Sequence, residues 1–327
     1  MKTKQLRTLL LPGISLGIIA AFLYYLYLNA DQYRELLHFS AIGLALLLLI
    51  SLVMPVLNGM INTYMFQSLG ANLSHREGFF LGAASTLVNQ LPISGGIVTR
   101  GFYLKHKYAL PYTKYFSAVL ALFFCTIAVY GLLGLTILTY WTFFKHIDVS
   151  PVLFIAFGLM ASGLLIYGLP LNRIRIPKIL LKWVHQALEG WALINENPAL
   201  ILKLLVLQTA TMLLLAMRYW LAFHMLSQNV TVSQVILFAS ASVLTQLVSF
   251  APGGLGVREA IVSGIAAALG FDTGVSIVAI GLDRLVSTLM VVLIGWISTI
   301  ILGKQISDGL VESGKQNESD DLKILAD

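Results

Sequence analysis

The chain has 327 residues, of which 58% are hydrophobic and 11% charged, with a mean hydropathy of +0.85 and a net charge of +6. Soluble domains carry about 25% charged residues, so this composition excludes an ordinary soluble enzyme or nucleic-acid-binding module and points to a polytopic membrane protein. The single cysteine, Cys125, lies in an apolar run; it excludes an intrachain disulfide and reads as a small packing residue.

Residues 9–28 form a first apolar span, preceded by Lys2, Lys4 and Arg7. It has no small-residue cleavage site and reads as a retained helix, not a signal peptide. Residues 36–69 make a long second element, with Pro55 and Asn58-Gly59 as kink points. Residues 79–93 are apolar but short and end at Gly95-Gly96, with Lys105, His106 and Lys107 soon after. Residues 115–141 and 152–169 span. In residues 174–194, Arg175, Lys178 and Lys182 alternate with Ile179, Leu180 and Trp183, the pattern of an amphipathic helix lying in the interface. Residues 200–226 span, 232–251 lead to Gly253-Gly254, 255–269 follow, and 275–302 complete the membrane part.

The expected fold is therefore an all-α polytopic membrane protein, with about six full spans, two inverted re-entrant helical hairpins and one interfacial helix. Residues 1–303 form one transmembrane domain with an internal repeat, its halves 36–141 and 200–302 joined by 142–199. Residues 304–327 are a polar tail expected to be disordered.

Lysine and arginine set the orientation. With the N-terminus inside, 16 of the 21 basic residues fall on the cytoplasmic side. Only Arg34 and Lys145 fall outside, and Arg218, Arg258 and Arg284 stay within apolar segments. This positive-inside bias places both termini in the cytoplasm, with the protein in the cytoplasmic (inner) membrane.

One phrase occurs twice. Gly95-Gly96 is followed four residues later by Arg100, and Gly253-Gly254 by Arg258 within Gly253-Gly254-Leu255-Gly256-Val257-Arg258. Pro92 and Pro252 stand just upstream. Backbone groups facing hydrocarbon cost several kcal/mol each, so a broken helix persists at membrane depth only where protein or water satisfies it. Glycine permits the reversal, proline ends the preceding helix, and the amides opening the second arm add positive potential. An arginine one turn deeper suits an anion such as a phosphate head group. Three spans separate the two phrases, an odd number, so the hairpins open toward opposite sides, provided that 232–251 and 255–269 cross out and back.

Ionisable residues at membrane depth mark a pathway or site, or a structural ion-pair network. Arg258-Glu259 and Asp283-Arg284 are such doublets. Neighbours on a helix point about 100° apart, so pairing runs between doublets: Arg258 with Asp283, or Glu259 with Arg284. Arg218 is a third candidate, or snorkels to the interface. Asn89, Gln90 and Gln246 line the same cavity, or hydrogen-bond between helices. The six histidines are scattered without ligand spacing, so no metal site and no cofactor is expected.

The stretch 87–100, with Asn89-Gln90-Leu91-Pro92, Gly95-Gly96 and Arg100, resembles the first signature of the lysylphosphatidylglycerol synthase transmembrane-region family, also called flippase-like. Residues 251–260 and Gly281-Leu282-Asp283-Arg284-Leu285 resemble its second, more specific signature. The resemblance extends from the first span to about residue 302. It implies a domain that moves lipids between leaflets, alone or fused to an aminoacyl-transferase domain. About 25 residues follow the last span, which implies a stand-alone translocator. Where the family often carries an acidic-Arg doublet in its first half, this chain has Phe123-Phe124-Cys125-Thr126, so its hairpins are expected to be unequal.

Two function classes compete. The first is a lipid transporter that moves an anionic phospholipid or polyprenyl-phosphate-linked lipid by alternating access, with Arg100 and Arg258 holding phosphate and Asp283 and Arg284 shaping the site. The second is a membrane-embedded enzyme on lipid head groups, which lacks a nucleophile or metal cluster here. An accessory subunit of a lipid or glycan transferase is a third. The partners expected are a membrane lipid, and a second copy of the chain or a lipid-modifying enzyme; no nucleic acid is expected.

Overall fold

The computed structural model describes residues 40–90, 95–163, 192, 197–245 and 256–303, and the backbone of the last helix beyond them. The described residues form nine helices: α1 Ala41–Ser68, α2 His75–Val88, α3 Gly95–Tyr108, α4 Tyr112–Phe144, α5 Pro151–Ser162, α6 Pro198–Met225, α7 Val232–Ser242, α8 Val257–Ala268 and α9 Thr273–Ile324. The expected span 9–28, the interfacial helix 174–194 and the end of the span 152–169 lie outside the described residues.

Four helices, α1, α4, α6 and the apolar part of α9 (Thr273–Gly303), are long and apolar enough to cross a membrane. Outer faces are greasy: Ile42 on α1, Leu285 on α9, and Val152 and Leu159 on the shorter α5 are each at least 70% exposed. A soluble bundle buries such side chains, whereas a lipid-facing one presents them. The protein is membrane-embedded and all-helical among its described residues.

Sequence signals start these helices. Ser74 caps α2 by accepting from the Glu77 amide, Asn197 caps α6 ahead of Pro198, and Thr231 and Gln234 close a capping box at α7. The chain repeats a long–short–short–long order: 28, 14, 14 and 33 residues for α1 to α4, and 28, 11 and 12 residues followed by a 31-residue apolar span for α6 to α9.

The corresponding long helices α1 and α6 run antiparallel. Gly43 at the start of α1 packs on Met225 at the end of α6, and Tyr64 near the end of α1 lies under Lys203 near the start of α6. The short helix α2 packs on α9, and α7 packs on α4, so each half lays its first short helix on the other half's last long one.

The short pairs α2–α3 and α7–α8 are antiparallel hairpins with arms of about 16–21 Å, well under the ~30 Å hydrocarbon thickness. The base of α2–α3 adjoins the start of α4, with three residues between Tyr108 and Tyr112. The base of α7–α8 adjoins the end of α4, where Trp141, Gln234 and Leu269 line one cleft. The hairpins thus enter the bundle from opposite ends of a helix about 50 Å long.

Three boundaries differ from expectation. The apolar run 232–251 is not one helix: α7 stops at Ser242. There the Ser242 and Thr245 hydroxyls donate to carbonyls three residues back, competing with the helix ladder. The first arm runs from His75 to Val88, so Gly95-Gly96 opens the second arm instead of lying in the gap. Helix α9 continues through Ile324, past the point at Lys304 where helix was expected to end.

Small residues let the helices meet. A Cβ on Gly59 would stand 2.7 Å from the Phe79 Cα, and one on Gly78 would stand 2.0 Å from the Thr63 hydroxyl. Without a hydrophobic drive between helices in lipid, such close approach is a main source of packing energy.

Candidate functional site

The second hairpin meets α6 and α9 at a buried charged cluster. Gly256 caps α8 with φ 79°, a left-handed conformation that glycine adopts without strain, and so places Arg258 and Glu259 in the first turn of α8. Asp272 holds the start of α9 by accepting from the Val275 amide at 2.8 Å, and Asp283 and Arg284 follow three turns later.

Two ion pairs form. Arg284 Nη1 donates to both Glu259 carboxylate oxygens, at 3.0 and 3.2 Å. Arg218 Nε and Nη2 both reach Asp283 Oδ1 at 2.8 Å, and Nη2 also donates to the Asp283 carbonyl. The first pair is one of the two expected from the doublets. The second corrects the other: Asp283 is held by Arg218 of α6, not by Arg258. Arg218 is 3% exposed and does not snorkel. Its side chain is spent inside the bundle because a fully buried carboxylate at this depth requires a partner.

Arg258 is left over. It is partly exposed, its Nε is enclosed without a hydrogen-bond partner, and no carboxylate pairs with it among the described residues. Tyr219, Asp283, Glu259 and Tyr130 lie within its electrostatic reach. Three guanidiniums face two carboxylates here, leaving one excess positive charge. All five buried side-chain polar atoms without a partner among the described residues belong to this half: Tyr219 OH, Ser240 Oγ, Arg258 Nε, Ser263 Oγ and Asp283 Oδ2. Each such atom costs about 1–3 kcal/mol while it stays unpaired. An anion at the start of α8 would meet Arg258 and the helix dipole together.

The first hairpin is built differently. Asn89 ends α2 and its Oδ1 accepts from the Gly96 amide at 2.8 Å, so it caps α3 across the break. Gly96 has no room for a side chain: a Cβ would stand 2.1 Å from the Ser85 carbonyl oxygen. A Cβ on Gly95 would stand 2.6 Å from Val88 Cγ1. Arg100 donates to Asn62 Oδ1 on α1 at 3.0 Å and to the Gly96 carbonyl at 3.4 Å, and no carboxylate pairs with it among the described residues. Gln90 sits in the turn after α2, partly exposed. Gln246, Gly253 and Gly254 lie outside the described residues.

Two groups escaped the sequence reading. Asn62, 4% exposed, is the partner of Arg100; an amide within an apolar helix was its signal. Glu77, 8% exposed, fastens the base of the first hairpin. It accepts from Tyr103, from Tyr108 at 2.7 Å and from Lys107 at 2.8 Å. Burial raises its proton affinity, but these hydrogen bonds outweigh that and hold the Glu77 carboxyl below the usual carboxylate value. The Ser74-x-x-Glu77 spacing marked the start of α2 but not the tyrosines.

Two cavities adjoin these elements. A small one of about 60 Å3, with space for about two water molecules, touches Arg218, Asn58, Thr86 and Ser287 between the two halves. Pro55 lines it with Ser51, whose carbonyl lacks the helix donor that proline removes. A larger cleft of about 790 Å3 lies away from the charged cluster, at the base of the second hairpin.

The family described as the lysylphosphatidylglycerol synthase TM region matches residues 13–295, a stretch that contains both hairpins and the charged cluster. No curated protein and no solved structure matches the chain.

Proposed function

The chain belongs to the lysylphosphatidylglycerol synthase TM region family, and from that premise we propose that it moves a lipid with an anionic, phosphate-bearing head group between membrane leaflets. The observation that carries this reading is Arg258, a cation without a carboxylate partner at the start of α8, beside two ion pairs that already engage both carboxylates. The phosphate binds Arg258 and the α8 amides, neutralises the excess charge and leaves the acyl tails in lipid. The ion pairs Arg218–Asp283 and Glu259–Arg284 fasten the second hairpin to α6 and α9, so the site keeps its shape as the head group enters. The antiparallel relation of α1 and α6 and the opposed hairpin bases support two re-entrant hairpins in inverted halves, which rock about the site to expose it to each leaflet in turn. Arg100, held by Asn62, plays a smaller part than Arg258.

The test is leaflet transfer of a labelled anionic lipid in vesicles containing the purified protein. Transfer above protein-free vesicles that drops at least tenfold in Arg258→Gln supports the reading. Equal transfer by the wild type and Arg258→Gln overturns it.

A further inference from the structure

We propose that the cleft between the end of α4 and the base of the second hairpin binds a zwitterionic amino-phospholipid head group, with Lys145 taking the phosphate and Asp148 the ammonium. The cleft, about 790 Å3, has the size of a small-molecule site. Its apolar lining comes from Ile137 on α4, Ile236 on α7 and Leu269 after α8, and its polar lining from Thr231, Ser233 and Gln234. Lys145 and Asp148 are its two charged residues.

The chain holds these two charges in place. Helix α4 ends in a tight reversal: His146 takes φ 52°, and the Ile147 amide donates to the Trp141 carbonyl, six residues back, at 3.1 Å. That turn keeps Lys145 and Asp148 on one wall of the cleft. Neither pairs with the other or with any other charged group among the described residues. Both are exposed, so their heads are available to a ligand.

The surroundings select a lipid. Tyr140 stacks on Phe144, and Phe143 and Phe144 are 69% and 74% exposed at this end of the helix. Tyr and Trp gather at the depth of lipid head groups, and Tyr140 and Trp141 line this cleft. Charge then selects the head group. Lys145 and Asp148 cancel, so a monoanionic phosphate would leave the carboxylate facing it, whereas a phosphate joined to an ammonium meets both. The Arg258 cluster carries an excess positive charge instead, so the two sites differ in the lipid they favour. This second site does not depend on the translocation reading.

The experiment measures lipid retention by native mass spectrometry on the full chain in detergent, with phosphatidylethanolamine and phosphatidylglycerol of matched acyl chains in competition. It is run on the wild type and on Arg258→Gln, which removes the cation of the other site. The proposal expects phosphatidylethanolamine to be preferred in the Arg258→Gln protein. It expects Asp148→Asn in that background to shift the ratio toward phosphatidylglycerol by about two- to fivefold, the scale of an exposed ion pair, and Lys145→Gln to weaken retention of both lipids. Equal retention of the two lipids by Arg258→Gln, or an unchanged ratio in Asp148→Asn, overturns it. Both side chains are exposed, so neither substitution threatens the fold.

Discussion

Arg218 and Asp283, 65 residues apart in the chain, are joined at 2.8 Å through two guanidinium nitrogens, and both are almost wholly buried. The pair ties α6 to α9 and takes up the carboxylate that Arg258 would otherwise hold. A buried pair of this kind is costly to break from one side, because the survivor keeps its charge without a partner. Asp283→Ala should lower stability by about 3 kcal/mol, read from thermal unfolding in detergent. The double replacement Arg218→Met with Asp283→Leu should recover most of that loss. A double variant no more stable than Asp283→Ala would show that the pair is not what holds these helices.

Arg258 should behave in the opposite way. It has no hydrogen-bonded partner to abandon among the described residues, so Arg258→Gln should leave the unfolding temperature unchanged or raise it, while lipid transfer falls at least tenfold. The contrast separates function from folding. If Arg258→Gln unfolds as easily as Asp283→Ala, Arg258 is a structural residue.

The helical segments, most of the charged cluster and its Glu259–Arg284 pair were legible in the sequence; the partner of Asp283 was not. Gly-Pro breaks inside apolar runs and the two acid–arginine doublets announced themselves locally, since each is a violation of the rule that membrane segments are apolar. Which arginine takes Asp283 depends on how α6 is rotated against α9, a tertiary fact with no short-range signal. The end of α7 at Ser242 was hidden for a similar reason: hydropathy continues smoothly to residue 251, and the local mark of the break is a pair of hydroxyls, on Ser242 and Thr245, that bond carbonyls three residues back. Arg100 was expected to mirror Arg258, but Asn62 claims it from a helix that the motif does not include.

Glycine positions divide cleanly by the space around them. Gly96→Ala would drive a Cβ to 2.1 Å from the Ser85 carbonyl oxygen, which is backbone and cannot swing aside, so a loss of about 2 kcal/mol or more is expected. Gly264 on α8 has nothing within 4 Å, so Gly264→Ala should be neutral or stabilising by up to about 1 kcal/mol through helix propensity. Thermal unfolding of the two variants side by side checks both; equal effects would mean that the tip of the first hairpin is not closely packed.

The Glu77 clasp predicts an acid-sensitive step. Its folded carboxyl is depressed below the ordinary value of 4.5 by hydrogen bonds from Lys107, Tyr103 and Tyr108, which overcome the opposing effect of burial. A depressed folded value means that the group adds stability above the unfolded value, and that this contribution is lost as pH falls from about 4.5 through the folded value. Stability measured from pH 7 downward should therefore fall more steeply in the wild type than in Glu77→Gln over that window, with Glu77→Gln less stable at pH 7. Parallel curves for the two proteins would show that the clasp does not hold the hairpin base.

The opposed hairpins carry a topological consequence. The base of α2–α3, at Lys107, and the base of α7–α8, at Gln234, lie at opposite ends of α4, whose 33 residues exceed the hydrocarbon thickness. The excess of Lys and Arg beside the first base predicts that it faces the cytoplasm and the second the outside. With the buried Cys125 replaced by alanine, single cysteines at His106 and at Ser233 should react with a membrane-impermeant thiol reagent from opposite sides: Ser233→Cys in intact cells, and His106→Cys only after the membrane is opened. Both positions are exposed or partly so, and neither belongs to the charged cluster. Labelling of both from the same side would require the two halves to share one orientation, and alternating access by inverted hairpins would then have no geometric basis.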